Sequence, residues 1–226
     1  MTGPRNRALP RAIPTSSTFA APERVANTLP HLLALLDYES KFATYSSLIN
    51  CMAVLETSRL VLRPFREKDI DLLAELMANP DFMRFSLGPY PREQTQTVLD
   101  KILSWTRAGL PSQFAVIMRS NGTLIGYCGF FHQQVDETNE IEIGYRLHPH
   151  YWKQGLATEA AATVRDHAFG DLKLPRVISL IHPDNAASRR VAEKIGMHFE
   201  RRTVFKGFPT QIFELNRQQW LTSRGG

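Results

Sequence analysis

The sequence predicts a mixed α/β domain, and three observations predict it. Glu140 to Leu147 alternates with the period of a strand, Ile141, Ile143, Tyr145 and Leu147 on one side and Glu140, Glu142, Gly144 and Arg146 on the other. The alternation stops at His148-Pro149-His150, and after Gly155 the run Leu156 to Ala162 has good helix propensity. Arg176 to Ile181 then reads as a strand again, so the unit is strand, crossover helix, strand, with parallel strands and a right-handed connection.

From the N-terminus, Met1 to Pro22 carries Arg5, Arg7 and Arg11 and no acid before Glu23, a composition that builds no core. It reads equally as a transit peptide, an upstream extension or a disordered tail. Leu32, Leu35, Leu36, Phe42, Tyr45 and Ile49 have the spacing of an amphipathic helix over 30–50. Residues 1–51 are therefore set apart as an N-terminal extension, and 52–226 as the folded domain. Thr57 to Phe65 predicts a strand, and Glu67 to Ala78 a helix with Ile70, Leu73, Leu76 and Met77 on its apolar stripe. Asn79 to Pro91 is a loop containing Phe82, Phe85 and Tyr90, and a helix follows over Arg92 to Arg107. Strands are expected at 113–118 and 124–131 around a turn at Ser120-Asn121-Gly122, then a polar loop from His132 to Asn139. Downstream, Asn185 to Ile195 is a helix ended by Gly196, and His198 to Phe205 and Thr210 to Asn216 are closing strands.

Composition narrows the class. With 226 residues, 43% of them hydrophobic and 22% charged, the chain suits one globular domain with a sizeable core. Two cysteines, Cys51 and Cys128, are too few for a disulfide framework, which points to a reducing, cytoplasmic setting, with Cys128 a core thiol. His148 and His150 flank a proline with no third ligand nearby, so they read as loop residues and no metal site is expected. No apolar run reaches the roughly 20 residues of a membrane span. The net charge of +5 leans toward acidic ligands such as phosphates, although an ordinary solvated surface carries as much.

The junction after the alternating strand is the place for chemistry. Amides of Lys153, Gln154, Gly155, Leu156 and Ala157 fall at a helix N-terminus, where the first donors have no carbonyl partner and the dipole favours an anion. Gly155 lets backbone approach a ligand and Ala157 does not block it. A plain capped turn would look the same in isolation.

The surrounding segments resemble a known family. "HYWKQGLATEA" is similar to the acetyl-CoA-binding motif of the GNAT superfamily of N-acetyltransferases, in the form found in the RimJ/RimL-type acetyltransferases of ribosomal-protein alanine and serine. "ETSRLVLRPFREKD", "NPDFMRF", "EIGYRL" and "HPDNAASRRVAEKIGMHFE" extend the resemblance, in order, from about Leu55 to Trp220. It implies a mostly antiparallel twisted sheet with a splayed parallel strand pair and flanking helices. It also implies acetyl-CoA as co-substrate, no metal, and direct attack by an amine in a ternary complex. The motif's usual Arg or Gln three positions before the central glycine is Trp152 here, which throws more of the phosphate binding onto backbone amides.

Roles follow from the same resemblance. Lys153, Gln154, Gly155, Leu156, Ala157, Thr158 and Asn185 are the expected cofactor contacts, with Leu147 offering backbone in the gap between the parallel strands. Glu142 is the candidate base ahead of Glu140, because a protonated amine cannot attack and a carboxylate can deprotonate it through water. The Leu147 amide is the candidate oxyanion donor. Asp184 to Phe199 lacks the tyrosine that many members use as the acid, so Ser188 takes that place; a thiol with pKa near 8.5 also leaves tolerably without help. Asn185 is at the same time a natural helix N-cap, and Arg189, Arg190 and Lys194 are a basic cluster better read as a solvated face. Phe82, Phe85, Tyr90 and the 132–139 loop are expected to rim the acceptor pocket. The acceptor is a protein N-terminus, with a ribosomal protein as one possibility, or a small amine such as a polyamine, an amino acid or an antibiotic. A catalytically silent CoA-binding protein is the remaining alternative, and the expected assembly is a monomer or homodimer. The chemistry is expected to survive in a chain starting near Met52, unless the Leu32 to Ile49 stripe packs on the domain.

Overall fold

A computed structural model of the chain describes residues 53–224. The basic tail, the helix expected over 30–50, Cys51 and the start at Met52 lie outside the described residues.

Eight strands form one sheet: β1 (Leu55–Glu56), β2 (Leu60–Pro64), β3 (Gln113–Met118), β4 (Leu124–Val135), β5 (Thr138–Leu147), β6 (Arg176–Ile181), β7 (His198–Phe205) and β8 (Phe208–Asn216), ordered β1-β2-β3-β4-β5-β6-β8-β7. Five helices flank it among the described residues: α1 (Ile70–Ala78), α2 (Arg92–Arg107), α3 (Leu156–Gly170), α4 (Ala186–Lys194) and α5 (Arg217–Arg224). Every strand pairing is antiparallel except β5 with β6, which are parallel as a crossover through α3 requires.

One face of the sheet carries α1, α2 and the loop between them. Leu73, Leu76, Met77, Leu99, Ile102 and Leu103 bury there with Phe65, Phe82, Met83 and Tyr127. α3 and α4 come from the crossover side of the sheet. α3 presents the small residues Ala160, Ala161 and Ala168, all fully buried, which lets the helix lie close to the strands.

Four expectations shift. The strand read over Thr57 to Phe65 is a hairpin, since the Thr57 amide donates to the Leu60 carbonyl at 3.0 Å and turns β1 back onto β2. The helix read from Glu67 begins as a 3₁₀ turn, Glu67–Asp69, before α1. The polar loop read over His132 to Asn139 is mostly strand: β4 runs to Val135 and β5 starts at Thr138, with Asp136 and Glu137 both at positive φ (46° and 65°) as a two-residue turn. Polar residues there sit on paired strands whose ladder, not their apolarity, holds them. Finally, α5 follows β8, anchored by buried Trp220, whose indole donates to Asp166 at 2.8 Å.

Candidate active site

The parallel pair opens immediately. β5 and β6 are in register at one position, Glu142 opposite Ile178, while β5 continues beside β4 as far as Leu147. Side chains take over the next ladder positions: Ser179 Oγ donates to the Ile143 carbonyl at 2.7 Å, and the Leu180 amide bonds the Glu142 carboxylate. Beyond that point the backbone of β5 has a free edge.

Leu147 lies on it. The His148 amide donates to Ile125 at 2.7 Å, so His148 and Ile125 form a hydrogen-bonded antiparallel pair and the next pair, Leu147 with Gly126, is the non-bonded kind. The Leu147 amide and carbonyl therefore point away from β4, toward the gap. Trp152 Nε1 donates to that carbonyl at 2.6 Å. Trp152, which on sequence only removes a phosphate contact, instead satisfies the Leu147 carbonyl at the splay and leaves the Leu147 amide without a partner among the described residues.

After the 3₁₀ turn Pro149–Tyr151, the chain passes through Lys153 (φ 60°) and Gly155 (φ 78°), both left-handed, into α3. Successive residues in such a turn aim their amides inward as an anion-binding concavity. No side chain caps α3, so the amides of Leu156, Ala157 and Thr158 have no side-chain acceptor. Gln154 spends its side chain on the His150 carbonyl (3.0 Å) and Lys153 is exposed. Their backbone, rather than their side chains, is what they offer to the turn.

A residue not singled out by sequence holds this turn. Arg59, in "ETSRL", donates from Nη1 to the Gln154 carbonyl at 2.9 Å and pairs with Glu159, Nη2 lying 2.6 Å from Oε2. Glu159 also accepts from Thr57 Oγ1 (2.5 Å), Ser58 Oγ (3.2 Å) and the Arg59 amide (3.0 Å). Burial pushes its carboxyl up, but these hydrogen bonds outweigh it and hold the group below the ordinary range. The signal was two motif segments a hundred residues apart, one with a cation and one with an acid.

Glu142 sits where the strands part, half-buried, its Oε2 accepting from Gln133 Nε2 at 2.7 Å. Burial is the main influence and raises its carboxyl above the ordinary glutamate range, against the lowering effects of Gln133, Leu180, Lys206 and Arg146. Glu140, the second candidate, is tied to Arg176 (3.1 Å), which also holds Glu200 and Glu214. Its charge is spent in that network.

On the crossover side, the Asn185 side-chain oxygen caps α4 by accepting from the Ser188 amide at 3.1 Å. The Tyr145 hydroxyl donates to the Ser188 carbonyl at 2.8 Å, with burial driving its pKa up, so it remains a donor. Asp184 to Phe199 carries no tyrosine, and Tyr145 reaches the backbone of α4 from β5. Arg189 lies 4.0 Å from Glu193 on an exposed face, and Cys128 is a buried free thiol. Of the expected rim, Phe82 is a core residue at 2% exposure, whereas Phe85 is exposed and stacks near His182 with centroids 5.7 Å apart. No three His, Cys, Asp or Glu side chains gather as a metal site among the described residues, nor does any described helix have the length and apolarity to cross a membrane.

Residues 59–198 match the family described as acetyltransferase (GNAT) domain. The chain is similar to the uncharacterized protein YkkB of Bacillus subtilis, 32% identical over 172 residues, which cover 74% of this chain and 97% of that protein. It is similar also to the uncharacterized N-acetyltransferase YnaD of Bacillus subtilis, 31% identical over 65% of this chain and 83% of that one. Among solved structures, a GNAT-family acetyltransferase from Bacillus anthracis superposes with a TM-score of 0.63 at 27% identity, over 74% of this chain and 99% of the other.

Proposed function

The chain belongs to the GNAT family and is an acetyl-CoA-dependent acetyltransferase; on that premise we propose that its acceptor is the N-terminal amine of a protein or peptide, in the manner of RimJ/RimL enzymes, with a ribosomal protein as one candidate. The observation that carries the chemistry is the placement of Glu142, a desolvated carboxylate at the point where β5 and β6 part. The rim suits a chain more than a small enclosed cation, because Phe85 and Leu87 (41% and 70% exposed) form an open wall.

Acetyl-CoA, when bound, supplies the activated acyl group. The residues fit it: uncapped amides at Leu156, Ala157 and Thr158, with those of Lys153, Gln154 and Gly155 in the left-handed turn, hold phosphate, and Arg59, its charge paired with Glu159, fixes the turn through the Gln154 carbonyl. Asn185 keeps its cap and offers its amide nitrogen to the pantetheine side. Glu142 takes the proton of the incoming ammonium, through water, and its raised pKa brings it closer to a useful base. The Leu147 amide, turned to the gap, donates to the negative charge that develops on the acyl oxygen. Ser188, whose backbone carbonyl is held by the Tyr145 hydroxyl, relays a proton from solvent to the departing sulfur, its own hydroxyl giving one proton as it takes another, so it ends as it began.

The test is acetyl transfer from acetyl-CoA to a panel of N-terminal peptides, polyamines, free amino acids and aminoglycosides, with acetyl-CoA affinity followed by calorimetry. Peptides are expected to turn over with the highest kcat/KM. Preference for a small amine would overturn the acceptor assignment, and binding without any turnover would point to a silent CoA-binding protein.

A further inference from the structure

Arg146 is a half-buried cation with no carboxylate within ion-pair distance among the described residues. Ten other described arginines, Arg59, Arg63 and Arg176 among them, reach an acid within 4.0 Å. Arg146 instead lies over the rings of Phe82 (5.7 Å) and Tyr127 (6.0 Å) and donates to Met83 Sδ at 3.0 Å. None of these neutralises its charge. Aromatic faces and a thioether hold a guanidinium in one position and leave donors on its fork unused.

Its position gives the charge a purpose. Arg146 is four residues from Glu142 on one strand, so both project from the same face. They do not pair, because Gly144 lies between them and the Phe131 ring lies across it: a Cβ there would meet Phe131 at 2.6 Å. The surroundings are cationic as well. Lys206 and Arg146 both act on the Glu142 carboxylate, and Lys101, its pKa lowered by burial and by Lys206, lies near Trp105 at 4.9 Å. A polyamine or aminoglycoside would bring positive charge into a cleft that already holds an excess of it.

Resting on the acetyl-transfer reading above, we infer that Arg146 is a specificity-determining residue, and that the acceptor is a peptide with an acidic side chain at its second or third residue. The spacing selects a peptide over a free amino acid. Four residues of strand place the Glu142 and Arg146 Cα atoms about 13 Å apart, whereas a free amino acid has one carbon between its amine and carboxylate. An extended peptide whose amine lies at Glu142 passes Phe131 and carries a carboxylate one or two residues on, where a charge-assisted, forked pair forms with Arg146.

The experiment uses hexapeptides that differ only in Asp or Asn at the second or third position, with free glutamate and spermidine alongside. The full-length protein and its Arg146→Gln and Arg146→Lys variants are compared, each checked by thermal melting. The wild type is expected to favour an Asp peptide over its Asn partner by about ten- to a hundredfold in kcat/KM, mostly through KM, the range for a hydrogen bond to a charged group. Arg146→Gln brings the two peptides to the same kcat/KM, and Arg146→Lys keeps part of the preference. Equal rates on Asp and Asn peptides in the wild type, or an unchanged preference in a folded Arg146→Gln or Arg146→Lys protein, would overturn the inference. Spermidine or free glutamate as the best acceptor would do the same. Acetyl-CoA binding with no acceptor modified would instead remove the transfer reading beneath it.

Discussion

Replacing Glu159 by Ala removes the carboxylate that ties the β1–β2 hairpin to the first turn of α3. Its side chain is 17% exposed, while that of Arg59 is 46% exposed, so the two halves of the contact differ in worth. The exposed guanidinium pair contributes up to about 1 kcal/mol. The part-buried bond from Thr57 Oγ1 contributes about 1.5 kcal/mol, the low end for a charged acceptor, and the exposed bond from the Arg59 amide about 0.5 kcal/mol. Glu159→Ala is therefore expected to cost about 2–3 kcal/mol in urea unfolding, against about 1–2 kcal/mol for Arg59→Ala. Because the carboxyl is held below its ordinary range, this stabilisation is present above the unfolded-state pKa and is lost as pH falls through the folded value. Acetyl-CoA affinity falls by about tenfold in both variants, since Arg59→Ala removes the donor to the Gln154 carbonyl and Glu159→Ala removes the acid that positions that donor. A double-mutant cycle measures the coupling. A Glu159→Ala loss below about 0.5 kcal/mol, or strict additivity with Arg59→Ala together with unchanged acetyl-CoA affinity, would refute the reasoning.

Gly155→Val forces a β-branched residue to φ 78°, where space is adequate but the backbone is not, and calorimetry is expected to show acetyl-CoA binding lost with the far-UV spectrum unchanged. Asp69 is 3% exposed, held by the Arg63 fork at 2.7 and 2.8 Å. Burial raises its carboxyl but the Arg63 and Arg66 bonds lower it below the ordinary range, so its contribution is full above the unfolded-state pKa and disappears on acidification. Asp69→Asn is expected to destabilise the fold by about 3–5 kcal/mol at neutral pH, and by less in acid, as measured by chemical denaturation. Ser179→Ala leaves the Ile143 carbonyl without its donor, for a loss of about 1–3 kcal/mol and a drop in turnover as the mouth of the splay relaxes.

The sequence made the scaffold legible wherever burial and periodicity agree. The α2 helix over 92–107 and the strands at 113–118 and 176–181 have the expected bounds because each carries an apolar stripe or run that is buried, and 198–205 has them on alternation alone, with no residue fully buried. His132 to Asn139 was illegible for the opposite reason: its residues are polar, and only pairing between β4 and β5 makes them strand. The Asp136 turn is further held by Arg201 and by Thr203 at 2.9 Å, from a strand more than sixty residues away. At the site, Glu142 and the Gly155 turn could be found from local pattern. Arg59 with Glu159 and Tyr145 with Ser188 could not, because each contact depends on distant chain segments meeting in space, and Trp152 with the Leu147 carbonyl could not, because it depends on the path of the intervening 3₁₀ turn. Arg146 was visible only as a polar position on a strand, and its lack of an acid partner is a property of the fold.

The measurement that bears most directly on acetyl transfer with Glu142 as base is the pH dependence of kcat/KM for wild type and Glu142→Gln, on peptides whose N-terminal amines differ in pKa. The wild type is expected to gain activity with rising pH along a limb above the ordinary glutamate range, since the base works deprotonated and burial raises its pKa. That limb stays in place when the amine pKa is changed. In Glu142→Gln it disappears and turnover falls by about 10²-fold or more, with acetyl-CoA affinity nearly preserved. A wild-type rate and profile in Glu142→Gln would contradict the assignment and leave the deprotonation to another group.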